Sequence, residues 1–140
     1  MKSEKKTILS NNFTNEQLRA ALFYVEDLME RCVCQFFLLG DLAQNVRLSP
    51  DAKLSGRGIR VAIRKNEWDT AKVLRDILLP DQTEHPTKVR LEFKGVPIQL
   101  IIVDEKDSFF THPDTAFFEG TQFSLPNPFN KYWEVRTQYE

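Results

Sequence analysis

The chain has 140 residues, and 19 Lys and Arg residues against 20 Asp and Glu residues leave a formal net charge of −1. This length suits one domain with a single hydrophobic core, and the near-neutral charge does not by itself indicate a nucleic-acid partner. No apolar run approaches the length of a membrane span, and the polar start lacks the apolar centre of a signal peptide. We therefore expect a cytoplasmic protein without membrane contacts.

The first predicted element is an amphipathic helix that begins near Glu16 and is capped by Asn12 or Thr14. Its apolar residues recur at helical spacing: Leu18, Ala21, Leu22, Val25, Leu28, Met29 and Cys32. The chain has only two cysteines, Cys32 and Cys34, with no further Cys or His pair that would complete a zinc site. Because a disulfide across this short spacing would be strained, we expect two reduced and largely buried thiols.

Two short strands and a brief helix are predicted next. Residues 36–39 form a buried strand, Gly40 permits a tight turn, and a helix begins near Asp41. A loop with Pro50, Gly56 and Gly58 leads to a second strand that ends near Arg64. Residues of this strand alternate between an apolar face and a face that carries two arginines: Ile59, Val61 and Ile63 against Arg60, Ala62 and Arg64.

A third helix and a hairpin follow. The helix is predicted from Asn66 to Pro80, with an apolar side formed by Trp68, Ala71, Val73, Leu74, Ile77 and Leu78. The hairpin pairs residues 88–93 with the apolar residues 96–103 across a turn at Lys94-Gly95.

Beyond Asp104 the sequence is rich in aromatic residues and proline and has no clear period. We expect its aromatic side chains either to cover the sheet or a helix, or to form an exposed arm for a protein partner: Phe109, Phe110, Phe117, Phe118, Phe123, Phe129, Tyr132 and Trp133. His85 and His112 lie in proline-flanked loops without a nucleophile beside them, so we do not expect either to be catalytic.

The order of the predicted elements is also that of the minimal nucleotidyltransferase core. Three stretches carry the similarity: FFLLGDLAQNV, SGRGIRVAIRK and VPIQLII. In these stretches the chain resembles the DNA polymerase beta-like nucleotidyltransferase superfamily over residues 16–104, with Leu39-Gly40-Asp41 at the family's first motif. The resemblance implies one α/β (α+β) domain over residues 1–140, with a mixed sheet, helices mainly on one face and an aromatic C-terminal extension over residues 105–140.

The family's metal-binding carboxylates are missing at the matching positions. The second motif is Asp-h-Asp/Glu, with h apolar, and Gly58-Ile59-Arg60 stands there; the third motif's carboxylate falls on Gln99. Mg²⁺ requires oxygen ligands, chiefly carboxylates, and a guanidinium beside the site would repel it. We therefore expect a degenerate, non-catalytic member that binds no metal and needs no cofactor, with Mg²⁺ involved only if other acids form an active site.

Asp41 and Asp104 are the candidates for such acids, because we expect them at the ends of neighbouring strands. An active nucleotidyltransferase that uses these divergent residues is therefore one alternative. The other interpretation of Asp41 is a carboxylate that stabilises the start of a helix.

Basic residues dominate the region where the carboxylates are missing. Residues 47–65 contain only one acid, Asp51, beside six basic residues: Arg47, Lys53, Arg57, Arg60, Arg64 and Lys65. Guanidinium groups suit phosphate and carboxylate recognition, so we predict a cleft for a nucleotide, another phosphate-bearing ligand or an acidic protein. The predicted binding residues are Gly40, Asp41, Arg57, Arg60, Arg64 and Gln99. The alternative is a solvated strand face with ion pairs to Asp104, Glu105 or Asp107.

Three functions remain open from the sequence. The first is a non-catalytic protein that binds a ligand or partner through the basic cleft or the aromatic arm. The second is the active transferase. The third is a structural or inhibitory component of a phage or mobile element that uses the fold as a scaffold.

Overall fold

Helix α1 spans Asn15–Cys32 in the computed structural model, which describes residues 12–80 and 87–127. Of the two predicted caps, the structure has Thr14: its Oγ1 accepts a hydrogen bond from the backbone N–H of Gln17 (3.1 Å), and Gln17 Oε1 accepts one from the backbone N–H of Thr14 (2.9 Å). This reciprocal pair satisfies two backbone donors at the helix start. The predicted apolar side of α1 is buried, from Leu18 to Cys32.

Three shorter helices follow: α2 (Gly40–Leu48), α3 (Lys65–Thr70) and α4 (Lys72–Leu78). The prediction of one continuous helix up to Pro80 is wrong, because the helix is interrupted at Ala71, which separates α3 from α4. The predicted cap, Asn66, lies inside α3. Trp68 and Ala71 are buried as predicted, but Val73 and Ile77 are exposed because α4 packs only its last residues against the core.

The described residues form six strands: β1 (Phe36–Leu38), β2 (Ile59–Arg64), β3 (Lys88–Phe93), β4 (Val96–Val103), β5 (Asp114–Phe118) and β6 (Thr121–Leu125). They form one mixed sheet in the order β3-β4-β2-β1-β6-β5. The β2–β4 and β1–β6 pairs are parallel, and the other pairs are antiparallel. The predicted mixed α/β architecture is therefore confirmed. None of the helices within the described ranges is long and apolar enough to cross a membrane.

The two hairpins at the edges of the sheet use the same turn. Lys94 and Gly95 have φ angles of 48° and 87°, and Glu119 and Gly120 have φ angles of 51° and 82°. Positive φ at both central residues is typical of the tight turns that join antiparallel strands. The first hairpin confirms the prediction, whereas the second lies where the sequence showed no clear period.

Apolar residues are buried on both faces of the sheet. The helical layer covers one face, and its cluster includes Ile59, Val61 and Ile63. A smaller cluster on the other face lies under Phe109 of the 3-10 turn Ser108–Phe110: Phe37, Leu39, Ala62, Ile101 and Val103. This turn covers only one end of the second face, so the opposite end stays open.

Several of the predicted aromatic contacts can be located. Phe118 and Phe123 are buried under α1, where both rings contact Phe23, and Phe117 is exposed. Phe129, Tyr132, Trp133 and His85 lie outside the described residues, so the predicted role of the C-terminal arm stays a prediction.

Candidate functional site

Three polar side chains form a row across neighbouring strands at the open end of the sheet. Arg60 of β2 pairs with Gln99 of β4, and Gln99 pairs with Arg90 of β3. Residues that lie opposite each other in a ladder project from the same face of the sheet. The strand register therefore places two guanidinium groups on either side of the Gln99 amide.

The turn between β1 and α2 forms the next wall. The backbone N–H of Leu39 donates to the Arg60 carbonyl oxygen (2.9 Å), which extends the β1–β2 ladder by one residue. Gly40 follows as the first residue of α2 with φ +69°, a conformation that glycine adopts without steric cost, and Asp41 is the second residue of the helix. Gly40 and Asp41 are thus brought beside Arg60.

These walls enclose a cleft of about 330 Å³. Its polar lining consists of Asp41, Arg57, Arg60, Arg90 and Gln99. The remaining lining is apolar or glycine: Leu39, Gly40, Gly58, Ile59, Leu91, Pro97 and Ile98. Among the described residues, the lining holds three guanidinium groups and one carboxylate, a balance that favours an anionic occupant.

The glycines of the loop before β2 allow close packing around the cleft. A Cβ atom built on Gly56 would lie 3.3 Å from Asp41 Oδ2, so the Asp41 carboxylate lies directly over this glycine. A Cβ atom built on Gly58 would lie 2.6 Å from the backbone oxygen of Pro97, a distance that side chains do not tolerate. Gly58 is therefore required for the approach of the loop to β4.

Five of the predicted site residues lie together in this cleft: Gly40, Asp41, Arg57, Arg60 and Gln99. Arg64 does not, although it shares a strand face with Arg60. Four residues along a strand separate the two by about 13 Å. The Arg64 guanidinium lies 4.9 Å from the ring centroids of both Phe37 and Phe110.

Polar contacts complete the surroundings of Arg64. It forms an ion pair with Glu67 (3.2 Å) and donates a hydrogen bond to Gln35 Oε1 (2.7 Å). The positive charge of Arg64 is therefore paired inside the fold, at the end of the sheet that Phe110 covers.

The expectation that Asp41 and Asp104 lie near each other is wrong. Strand β1 runs antiparallel to β2, and β2 runs parallel to β4. Asp41 therefore follows the end of β1 next to the start of β4, whereas Asp104 follows the end of β4. The length of β4, more than about 10 Å, separates Asp41 from Asp104. The two carboxylates therefore cannot share one metal ion. Asp104 Oδ1 instead accepts a hydrogen bond from the backbone N–H of Lys106 (2.8 Å).

Arg90 is a cleft residue that the sequence analysis missed. A two-residue turn at Lys94-Gly95 pairs Phe93 with Val96, and the same register pairs Arg90 with Gln99. The hairpin prediction therefore contained the information needed to place Arg90 beside a residue already assigned to the cleft.

The cysteines lie away from the cleft and are buried and free, as predicted. Burial raises the pKa of Cys32, and burial is also the main cause that raises the pKa of Cys34 to about 12. Thiols with raised pKa values are poor nucleophiles. Within residues 12–80 and 87–127, no three His, Cys, Asp or Glu side chains come together as a metal site.

Comparison with known proteins supports the fold. No protein family's sequence profile and no curated protein sequence matches the chain. Among solved structures, the chain is similar to the lincosamide antibiotic adenylyltransferase LnuA in its lincomycin-bound crystal structure. The TM-score is 0.56 at 12% sequence identity, over 86% of this chain and 84% of that chain. This similarity shows a shared nucleotidyltransferase-like fold.

Proposed function

We propose that this protein is a non-catalytic member of the nucleotidyltransferase fold whose basic cleft binds a phosphate-bearing ligand without a metal ion. The observation that carries the proposal is the row of Arg60, Gln99 and Arg90 across three adjacent strands. Guanidinium groups donate paired hydrogen bonds whose geometry matches phosphate oxygens. Arg57 adds a third guanidinium to the same cleft.

The lining does not suit the metal ions of nucleotidyl transfer. Such transfer uses two Mg²⁺ ions that stabilise the attacking and leaving oxygens, and each ion needs carboxylate or similar oxygen ligands. Within the part of the chain that the structure describes, Asp41 is the one carboxylate of the lining. A guanidinium about 5 Å from a divalent ion would oppose its binding by several kcal/mol at an intermediate dielectric. The arginines would instead supply the positive charge that metal ions bring to a phosphate.

Catalysis is the second candidate function, because the chain shares its fold with an adenylyltransferase. Asp41 is the residue that this alternative requires, since among the described residues it is the acid that lines the cleft. Its predicted partner, Asp104, follows the far end of β4. The alternative therefore requires nucleotidyl transfer with a single carboxylate in the cleft. Measured transfer of a nucleotidyl group in the presence of Mg²⁺ would support it.

The proposal is tested by calorimetric titration of the full chain with pyrophosphate and with ATP in the presence of EDTA. Wild type is compared with Arg60→Gln and with Lys53→Gln, a control that removes an exposed cation outside the cleft lining. A charge-assisted contact contributes roughly 1.5–3 kcal/mol, so Arg60→Gln should weaken binding about tenfold to a hundredfold, and Lys53→Gln should have little effect. Equal affinities for the three proteins, or no binding by wild type, would contradict the proposal.

A further inference from the structure

The cleft that holds three arginines also holds a carboxylate. Asp41 is the acid among the described lining residues, beside Arg57, Arg60 and Arg90. The Asp41 side chain is exposed, and no other residue that the structure describes forms a hydrogen bond or an ion pair with it. Its oxygens are therefore available to accept hydrogen bonds from a ligand in the cleft.

The carboxylate rests on a loop that is held in place. A Cβ atom built on Gly56 would lie 3.3 Å from both Asp41 Cβ and Asp41 Oδ2, so the Asp41 side chain packs directly on this glycine. The Gly56 carbonyl oxygen accepts a hydrogen bond from the backbone N–H of Phe13 (3.2 Å). The backbone N–H of Ser55 donates to Asn45 Oδ1 of α2 (2.9 Å). The structure around the Asp41 carboxylate is thus ordered without a ligand.

Asp41 and the arginine row lie on different walls of the cleft. The hydrogen bond from the Leu39 N–H to the Arg60 carbonyl oxygen fixes Leu39 beside Arg60, and Asp41 follows two residues later. Two residues span at most about 7 Å, and paired strands lie about 5 Å apart, so the two backbones are within about 12 Å of each other. A small ligand that contacts both walls therefore carries an anionic group and, several bonds away, a second polar group.

The size and lining of the cleft suit an organic molecule better than a bare inorganic ion. Its volume of about 330 Å³ lies at the lower end of the range of about 300–1,000 Å³ that is typical of small-molecule sites. Five apolar side chains belong to the lining: Leu39, Ile59, Leu91, Pro97 and Ile98. Inorganic phosphate would leave this apolar surface without a partner, whereas the carbon skeleton of a phosphate ester would cover part of it.

We propose that Asp41 makes the cleft selective for phosphate esters whose alcohol part carries hydroxyl groups, as in a sugar phosphate. The phosphate lies at the arginines, and a hydroxyl of the same ligand donates to the Asp41 carboxylate. This inference rests on the proposed function, because it requires the arginines to hold the phosphate. A free sugar phosphate and the sugar of a nucleotide present the same chemistry to Asp41.

Charge favours a hydroxyl over the other groups that could face Asp41. A second anionic group would be repelled by the carboxylate. An ammonium group would be attracted by Asp41 but repelled by the three guanidinium groups of the same lining. A hydroxyl is neutral and donates a charge-assisted hydrogen bond. Asp41 also places a negative charge at the start of α2, where an anion is most favoured, and so directs the ligand's phosphate to the arginines.

The test compares ribose 5-phosphate with inorganic phosphate by calorimetric titration of the full chain in EDTA. Wild type should bind the ester more tightly. Asp41→Asn removes a charge-assisted hydrogen bond and should lower the ratio of the two affinities about tenfold. It should bind inorganic phosphate at least as tightly as wild type, since a like charge is lost. Asp51→Asn is the matched control, because Asp51 is an exposed acid outside the cleft lining, and it should leave the ratio unchanged.

ATP and 2′,3′-dideoxyATP form a second pair that differs only in the sugar hydroxyls. A preference for ATP that Asp41→Asn abolishes supports the proposal with a nucleotide as the source of the hydroxyls, and an effect confined to ribose 5-phosphate supports it with a free sugar phosphate. Affinity ratios that Asp41→Asn leaves unchanged for both pairs would overturn the inference, and would show that Asp41 only stabilises the start of α2. The proposed function would survive that result, because it fails through a different variant, Arg60→Gln, or through a wild type that binds none of these phosphates.

Discussion

The backbone oxygen of Pro97 lies 2.6 Å from the position that a Cβ atom on Gly58 would occupy. Gly58 immediately precedes β2, and Pro97 is the second residue of β4, so this contact joins the loop to the sheet at the mouth of the cleft. The resemblance to the nucleotidyltransferase motifs predicts the first carboxylate of the second motif at this position. In this chain a side chain there would collide with the backbone of β4, so a single substitution cannot place a carboxylate there.

Gly58→Ala is therefore expected to destabilise the fold. The added methyl group collides with Pro97, and the φ angle of +157° is one that alanine rarely adopts. Overpacking and backbone strain together should cost about 3 kcal/mol of unfolding free energy, measured by urea denaturation.

Gly120→Ala is the matched control for this prediction. Gly120 also has a positive φ (+82°), but a Cβ atom there would meet no atom within 4 Å. Replacing it with alanine should lower the unfolding free energy only by the cost of a left-handed backbone conformation, about 1–2 kcal/mol. Equal losses for the two variants would show that the contact with Pro97 carries no energetic weight.

Arg60 and Arg64 lie on the same face of β2, but replacing Arg64 should lower the stability of the fold, whereas replacing Arg60 should lower the affinity for ATP. Arg64→Gln removes the contacts with the Phe37 and Phe110 rings and the ion pair with Glu67, and should lower the unfolding free energy by about 1–2 kcal/mol. Because Arg64 lies outside the cleft, its variant should keep wild-type affinity for ATP, whereas Arg60→Gln should lose affinity. Loss of ATP affinity in Arg64→Gln would show that the binding site extends along the whole strand.

Stability should fall at alkaline pH because of Cys34. Burial is the main cause that raises the pKa of this thiol from 9.0 to about 12, so the unfolded chain releases its proton at a lower pH than the folded chain does. The stabilising contribution of the neutral thiol is fully present below about pH 9 and is lost progressively as the pH rises toward 12. The free energy of unfolding of wild type should therefore drop more between neutral pH and about pH 10 than that of Cys34→Ala, by about 1 kcal/mol. Parallel pH profiles for the two proteins would contradict this assignment.

Local sequence signals predicted the elements whose burial follows a regular period. The Thr14 cap and the spacing from Leu18 to Cys32 define α1, and the Lys94-Gly95 turn defines the β3–β4 register. The same reasoning applied to Glu119-Gly120 would have identified the β5–β6 hairpin, where Phe118 and Phe123 lie on the buried side. The density of aromatic residues on both faces of that segment obscured the alternation.

Two features could not be read from local periodicity. The apolar spacing of Val73, Leu74 and Ile77 is helical, but whether that side is covered depends on how α4 packs against α1. Likewise, the distance between Asp41 and Asp104 depends on the direction of β1 relative to β4, which is set by long-range pairing. The cleft residues of β2 and β4 were therefore predictable from the sequence. The place of Arg64 outside the cleft was not, because it depends on the 3-10 turn that brings Phe110 to the Arg64 guanidinium.

The most direct test of the account is the affinity for ATP measured by calorimetry in EDTA and again in excess Mg²⁺. In a two-metal site the ions join the nucleotide to protein carboxylates, so binding requires them. In the arginine-lined cleft, Mg²⁺ neutralises the same phosphate oxygens that the guanidinium groups contact. The account predicts binding in EDTA that Mg²⁺ leaves unchanged or weakens. Binding that appears only with Mg²⁺ would contradict it.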